Sequence, residues 1–265
     1  MLKILFSGCS ITHGDGLDLK NQNSMHYSNV LVSEVFDAQA HVNNIGVGGY
    51  SNLKIFLDTC IELTKSTQKY DFVFVGWTSY PRFYAQVGLE QYNCNRSFIP
   101  GSSLLDFYGN NLSFSSKFLN NLRDSLSLIS NPHYDILDIV QYVNILKLLA
   151  ESKGTKIYFL NNLCQWDANY FNQIESPIKP DLLTNYTNKI LNSNNRDDNQ
   201  IDFLYRKMHK DYQSVGGIQK QLWLNLYDSM ISMIIDLGTD NLHPGPLTHQ
   251  SYGNFLAKKL RNLSS

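Results

Sequence analysis

The chain opens Met1-Leu2-Lys3-Ile4-Leu5-Phe6-Ser7-Gly8-Cys9-Ser10, and this opening constrains the fold more than any other stretch. A short, nearly continuous apolar run suits a strand buried on both faces of a parallel sheet. It ends in glycine and serine and continues through Ile11-Thr12-His13-Gly14-Asp15-Gly16. From about Ser24 to Phe36, Val30, Leu31 and Val35 then return at helical spacing. A strand feeding a helix in this way places the Ser10 hydroxyl at the carboxyl edge of a sheet, where open α/β sheets bind ligands. At Gly8 a Cβ would crowd whatever docks beside the backbone. On this stretch alone, Ser10 reads equally well as a nucleophile and as a helix cap.

The same alternation recurs along the chain. Ala40-His41-Val42-Asn43-Asn44 reads as a short strand leading into Gly46, Gly48 and Gly49, with His41 a structural residue. Ser51 to Lys65 reads as a helix whose buried stripe is Leu53, Phe56, Leu57, Cys60 and Leu63. Asp71 to Val75 reads as a central strand, and Lys156 to Leu160 as another. A helical region runs from Phe118 to about Ser152, broken at Asn131-Pro132, and a last helix from His249 to Leu263. A further strand is expected around Met233 to Asp236. This order of elements predicts a three-layer α/β/α sandwich with a central parallel sheet. It spans 1–265 as one domain, with lid insertions at about 86–116 and 167–215, where periodicity gives way to polar and aromatic residues.

Near the C-terminus, Asp240-Asn241-Leu242-His243-Pro244 precedes the last helix. Histidine titrates near neutrality, so a histidine held by an aspartate can accept a serine proton and return it. Ser10, Asp240 and His243 together are the groups that nucleophilic acyl transfer requires.

Other chemistries find little support. A net charge of −1 with 17% charged residues gives no electrostatic case for nucleic acid or an anionic membrane. No apolar run approaches the ~20 residues of a membrane span. The motif begins too early for a cleavable signal peptide to precede it, so a cytoplasmic location is expected. Cys9, Cys60, Cys94 and Cys164 lack C-x-x-C spacing, and Asp197-Asp198 lacks a calcium-loop pattern, so no metal and no cofactor are expected.

With these residues in view, the chain resembles the SGNH (GDSL-type) hydrolases. Gly8-Cys9-Ser10 matches their Gly-Asp-Ser block, with Ile11, Thr12 and Gly14 following. Asn44-Ile45-Gly46-Val47-Gly48-Gly49 resembles the second block, and Asp240, His243 and Pro244 match the last. The resemblance implies a flavodoxin-like SGNH fold, Ser10 as nucleophile, His243 as general base and acid, and Asp240 as its orienting partner. It also implies an oxyanion hole from the N–H groups of Ser10 and Gly49. There are two departures. Cys9 replaces the first block's aspartate, and Gly76-Trp77-Thr78-Ser79 stands where Gly-x-Asn-Asp is usual. Thr78 therefore falls where an asparagine would donate to the oxyanion, and losing one such donor costs roughly 2.7–4 kcal/mol.

The expectation is a serine esterase acting on a small-molecule or glycan ester, with O-acetyl the simplest acyl group. Arg82, Trp77 and Trp166 are candidates for binding the substrate. An O-acyltransferase using the same triad, and a noncatalytic glycan-binding protein on the same scaffold, are the alternatives. The sequence leaves the oligomeric state open.

Overall fold

A computed structural model describes residues 1–36, 40–65, 69–78, 83–84, 97–98, 132–163, 222–225 and 228–264. Four of its strands form one parallel sheet: β1 (Leu2–Gly8), β2 (Ala40–Asn44), β3 (Phe72–Trp77) and β6 (Lys156–Asn161). Between β3 and β6 in sequence lie β4 (Phe83–Tyr84) and β5 (Ser97–Phe98), a short antiparallel pair. The strand order in the main sheet is β2-β1-β3-β6. The direction of winding reverses between β1 and β3, so their carboxyl ends form a topological switch point, the usual place for a ligand. Gly8 and Gly76 stand opposite each other there.

Six helices accompany the sheet among the described residues: α1 (Ser10–His13), α2 (Leu19–Ser24), α3 (Tyr27–Phe36), α4 (Asn52–Thr64), α5 (Pro132–Ser152) and α6 (Pro246–Ser264). The two-residue period of the strands decides which helices cover which face. Phe6 meets Tyr27 of α3 edge-on at 6.0 Å and stacks on Phe74 at 4.9 Å, while Phe72 packs on Phe36 at 4.7 Å. Tyr27 in turn meets Tyr252 of α6. Residues of odd number in β1 and β3 point the other way: Ser7 bonds Thr59 of α4, and Trp77 lies against Tyr142 of α5. Helix pairs therefore cover both faces, giving the expected α/β/α sandwich. Phe6, Phe74 and Phe159 are fully buried, and each such side chain contributes roughly 1.5–3 kcal/mol.

Several elements differ from expectation. The buried face of α4 comprises Ile55, Thr59, Glu62 and Leu63, while Leu57 is exposed. The helix is rotated because its inward polar groups have partners. Thr59 Oγ1 donates to Ser7 Oγ at 2.8 Å, and Glu62 Oε1 accepts from the Tyr70 hydroxyl at 2.7 Å and from Asn43 at 3.3 Å. A hydrophobic count does not detect buried polar groups that are hydrogen-bonded. No strand forms over Met233–Asp236. Ile231–Met233 makes a single 3-10 turn instead, and Leu237 bridges Pro244. The sheet is extended beside β6 by Trp223, which bridges Phe159. Both lid insertions lie outside the described residues, apart from Ser97–Phe98.

Candidate active site

β1 ends at Gly8, and Cys9 turns the chain into α1, whose first residue is Ser10. The turn is crowded. A Cβ on Gly8 would lie 2.1 Å from Thr12 Oγ1 and 2.9 Å from the Gly76 carbonyl oxygen, so only glycine fits. Cys9 is fully buried and makes no side-chain cap, so it fills space beneath the turn. Ser10 is 3% exposed, and among the described residues its Oγ has a single hydrogen-bond contact, Cys9 Sγ at 4.0 Å.

Beneath α1 lies a buried polar network. Thr12 Oγ1 meets the Tyr27 hydroxyl at 3.0 Å and accepts from Asn162 Nδ2 at 3.0 Å. The Tyr252 hydroxyl donates to Asn162 Oδ1 at 3.1 Å. Asn162 is thus a buried support of α1, while Asn161, equally buried, pairs its main chain with the side chain of Asn225. Such networks rigidify when all members are satisfied.

The histidine loop is folded onto the loop after α1. Asp240 Oδ1 accepts the N–H groups of Leu242 at 2.9 Å and His243 at 3.0 Å. Its other oxygen, Oδ2, lies 2.6 Å from His243 Nδ1. Burial raises the Asp240 carboxyl, but the two N–H groups and the His243 ring outweigh it and hold the group at about 2. Asp240 is therefore ionised at neutral pH and fixes Nδ1 as the protonated nitrogen, leaving Nε2 to accept a proton. Thr239 N–H donates to the Gly16 carbonyl at 2.8 Å, and Gly16 has φ +86°. A Cβ on Gly16 would come within 2.9 Å of His243 Cβ. The first and last motifs of the chain thus touch. Ser10 Oγ itself makes no hydrogen bond to His243.

The glycine loop is the third part. Val47 N–H donates to the Gly8 carbonyl at 3.1 Å. Asn44 ties the loop to α1: its Oδ1 accepts Gly46 N–H at 2.9 Å, and its Nδ2 donates to the Thr12 carbonyl at 2.5 Å. The N–H groups of Ser10 and Gly49 enter no hydrogen bond with any described residue.

Two residues from the end of β3 have different fates. Trp77, a candidate for substrate binding, is fully buried and stacks on Phe159 at 5.9 Å, so it belongs to the core facing α5. The cause is the strand period, which sends Val73, Val75 and Trp77 to that face. Thr78 is also fully buried, and its hydroxyl has no hydrogen-bond partner among the described residues. Its main chain is clamped by Asn52, whose Oδ1 accepts Thr78 N–H at 2.9 Å and whose Nδ2 donates to the Thr78 carbonyl at 3.2 Å. Sequence reasoning missed Asn52. It stands just after Ser51, the cap of α4, and no local pattern reveals a contact that depends on tertiary folding. Arg82 and Trp166 lie outside the described residues.

Among the described residues no group of three or more His, Cys, Asp or Glu is placed to hold a metal ion. No helix there is long and apolar enough to cross a membrane.

No protein-family model matches the chain, and no curated protein matches it. Solved structures do. One is a member of the lipolytic protein G-D-S-L family from Veillonella parvula DSM 2008, at 10% identity over 99% of this chain and 97% of that one, with a TM-score of 0.42. Another is a carbohydrate acetylesterase family member from Sinorhizobium meliloti, at 13% identity over 99% of each chain and a TM-score of 0.42. A third is an acetylxylan esterase from Geobacillus stearothermophilus, at 14% identity over 100% of this chain and 94% of that one, with a TM-score of 0.38.

Proposed function

We propose that the chain is an SGNH-type serine esterase that hydrolyses an ester, in the simplest case an O-acetyl group on a carbohydrate or small molecule, through an acyl-enzyme on Ser10. The observation that carries this reading is the Asp240–His243 pair at 2.6 Å, docked on the loop that directly follows the Ser10 helix. His243 Nε2 takes the Ser10 hydroxyl proton as Oγ attacks the ester carbonyl, while Asp240 stabilises the imidazolium. The Ser10–His243 hydrogen bond forms when substrate binds, as catalytic contacts in free enzymes often do. The oxyanion is held by the unspent N–H groups of Ser10 and Gly49. Thr78 supplies the third donor, since its buried hydroxyl has no partner among the described residues. His243 then protonates the leaving alcohol and activates the water that releases the acid.

Labelling with a fluorophosphonate probe, read by intact mass and peptide mapping, tests the proposal without knowledge of the substrate. A stoichiometric adduct on Ser10, absent from Ser10→Ala and His243→Ala, is the expected result. Folded wild-type protein that takes no adduct would refute it and favour a noncatalytic, glycan-binding role.

A further inference from the structure

The described residues hold two histidine–carboxylate pairs, one just after Ser10 in the chain and one against Gly16, and the mechanism above uses only the second. In the first, His13 Nδ1 lies 2.6 Å from Asp15 Oδ1, as short as the His243–Asp240 contact. His13 ends α1, three residues after Ser10, and residues at this spacing share a helix face. The cations and carboxylates of ordinary surface pairs swing freely, but this pair is built into the glycine loop. A Cβ on Gly48 would come within 2.5 Å of Asp15 Oδ2, so the carboxylate rests against the bare backbone of Gly48. A Cβ on Gly46 would lie 2.6 Å from the backbone nitrogen of His13. The side chains of His13 and Asp15 are 53% and 29% exposed, whereas Ser10 is 3% exposed. With the carboxylate on Nδ1, the Nε2 of this exposed ring is left as an acceptor.

That arrangement suits neither the serine proton, which His243 already takes, nor stability, since an exposed pair contributes ~0–1 kcal/mol. It suits a hydroxyl arriving with the substrate. We propose that the His13–Asp15 pair recognises the alcohol side of the ester: His13 Nε2 accepts a hydrogen bond from a free hydroxyl neighbouring the acylated oxygen. The site then takes partly acylated polyols in preference to esters of simple alcohols. A group that bonds a substrate hydroxyl favours that ester over the analogue lacking it, and the preference grows once the bound ester shuts water away from the histidine. The inference rests on the esterase reading and names the substrate class for it.

The test compares kcat/KM on glycerol monoacetate and ethyl acetate for wild type, His13→Ala and Asp15→Asn, with fluorophosphonate labelling of Ser10 run in parallel. The wild type is expected to prefer the monoacetate about tenfold or more, the value of one hydrogen bond to a polarised group. His13→Ala is expected to remove that preference, chiefly through KM, with Asp15→Asn intermediate. Equal losses on both esters would mean that the pair only props the glycine loop, and an undiminished preference would mean that it does not touch substrate. Either result overturns the proposal while Ser10 labelling stands. A wild type that neither labels nor turns over ester overturns the esterase reading, and this one with it.

Discussion

His26 makes the native state sensitive to mild acid. The ring is buried, and both nitrogens are committed in its neutral form. Nε2 donates to the Ile11 carbonyl at 3.1 Å, while Nδ1 accepts from Ser28 Oγ at 2.6 Å and from Ser28 N–H at 3.3 Å. A second proton would face two donors. Burial, only partly opposed by the Ile11 carbonyl, pulls the ring from 6.5 down to about 4. The unfolded chain therefore binds more protons than the native one between these values. Stability is fully present above about pH 6.5 and falls as the pH is lowered toward 4. By about pH 5 the loss from His26 alone is about 2 kcal/mol. His249, with its ring 5.0 Å from that of His26, acts in the same direction. Burial first, then the charges of His26 and His243, lowers it to about 2. Urea unfolding, followed by tryptophan fluorescence at about pH 7.5 and 5, measures the effect. His26→Gln is the control, because its amide can donate to Ile11 and accept from Ser28 but does not titrate. The variant should lose about 2 kcal/mol less than wild type over this range. Asp236 and Asp240 are both lowered and so titrate below the window. Wild-type stability that is equal at both pH values, or an equal loss in the variant, would refute the reasoning.

Two further substitutions probe the junctions of the site. Asn52→Ala leaves the buried Thr78 N–H and carbonyl unpaired, so it should cost about 1–3 kcal/mol in urea unfolding. If Thr78 helps hold the oxyanion, the same change should also slow fluorophosphonate labelling of Ser10 by about tenfold or more. Gly16→Ala forces a side chain onto φ +86° and against His243. A strain cost of about 1–3 kcal/mol is expected, together with a slower labelling rate as the histidine loop is displaced.

The strands were readable because burial on both faces writes a nearly continuous apolar run, as in Phe72-Val73-Phe74-Val75. The helices were readable in extent but not in rotation. α4 turns inward a threonine and a glutamate whose partners, Ser7 and Tyr70, come from other elements. The Asp240–His243 pair could be read because it is local, with both members within one turn of chain. Asn52 could not, because its clamp on Thr78 joins a helix start to a strand end. Trp77 misled because an aromatic near a strand's carboxyl end can face the ligand edge or a helix layer, and one step of the two-residue period decides between them. The Gly16–His243 contact joins the two ends of the sequence, so neither motif alone disclosed it.

That contact also sets an order of events during synthesis. The helix bearing Ser10 leaves the ribosome well before its proposed base, which arrives with residue 243. At ~5–20 residues per second the interval is roughly 10–50 s. Throughout it, the nascent chain carries a serine with nothing to activate it. Any esterase activity would then be withheld until the histidine loop has been made, and a polypeptide cut short before that loop would be silent however well its sheet had formed.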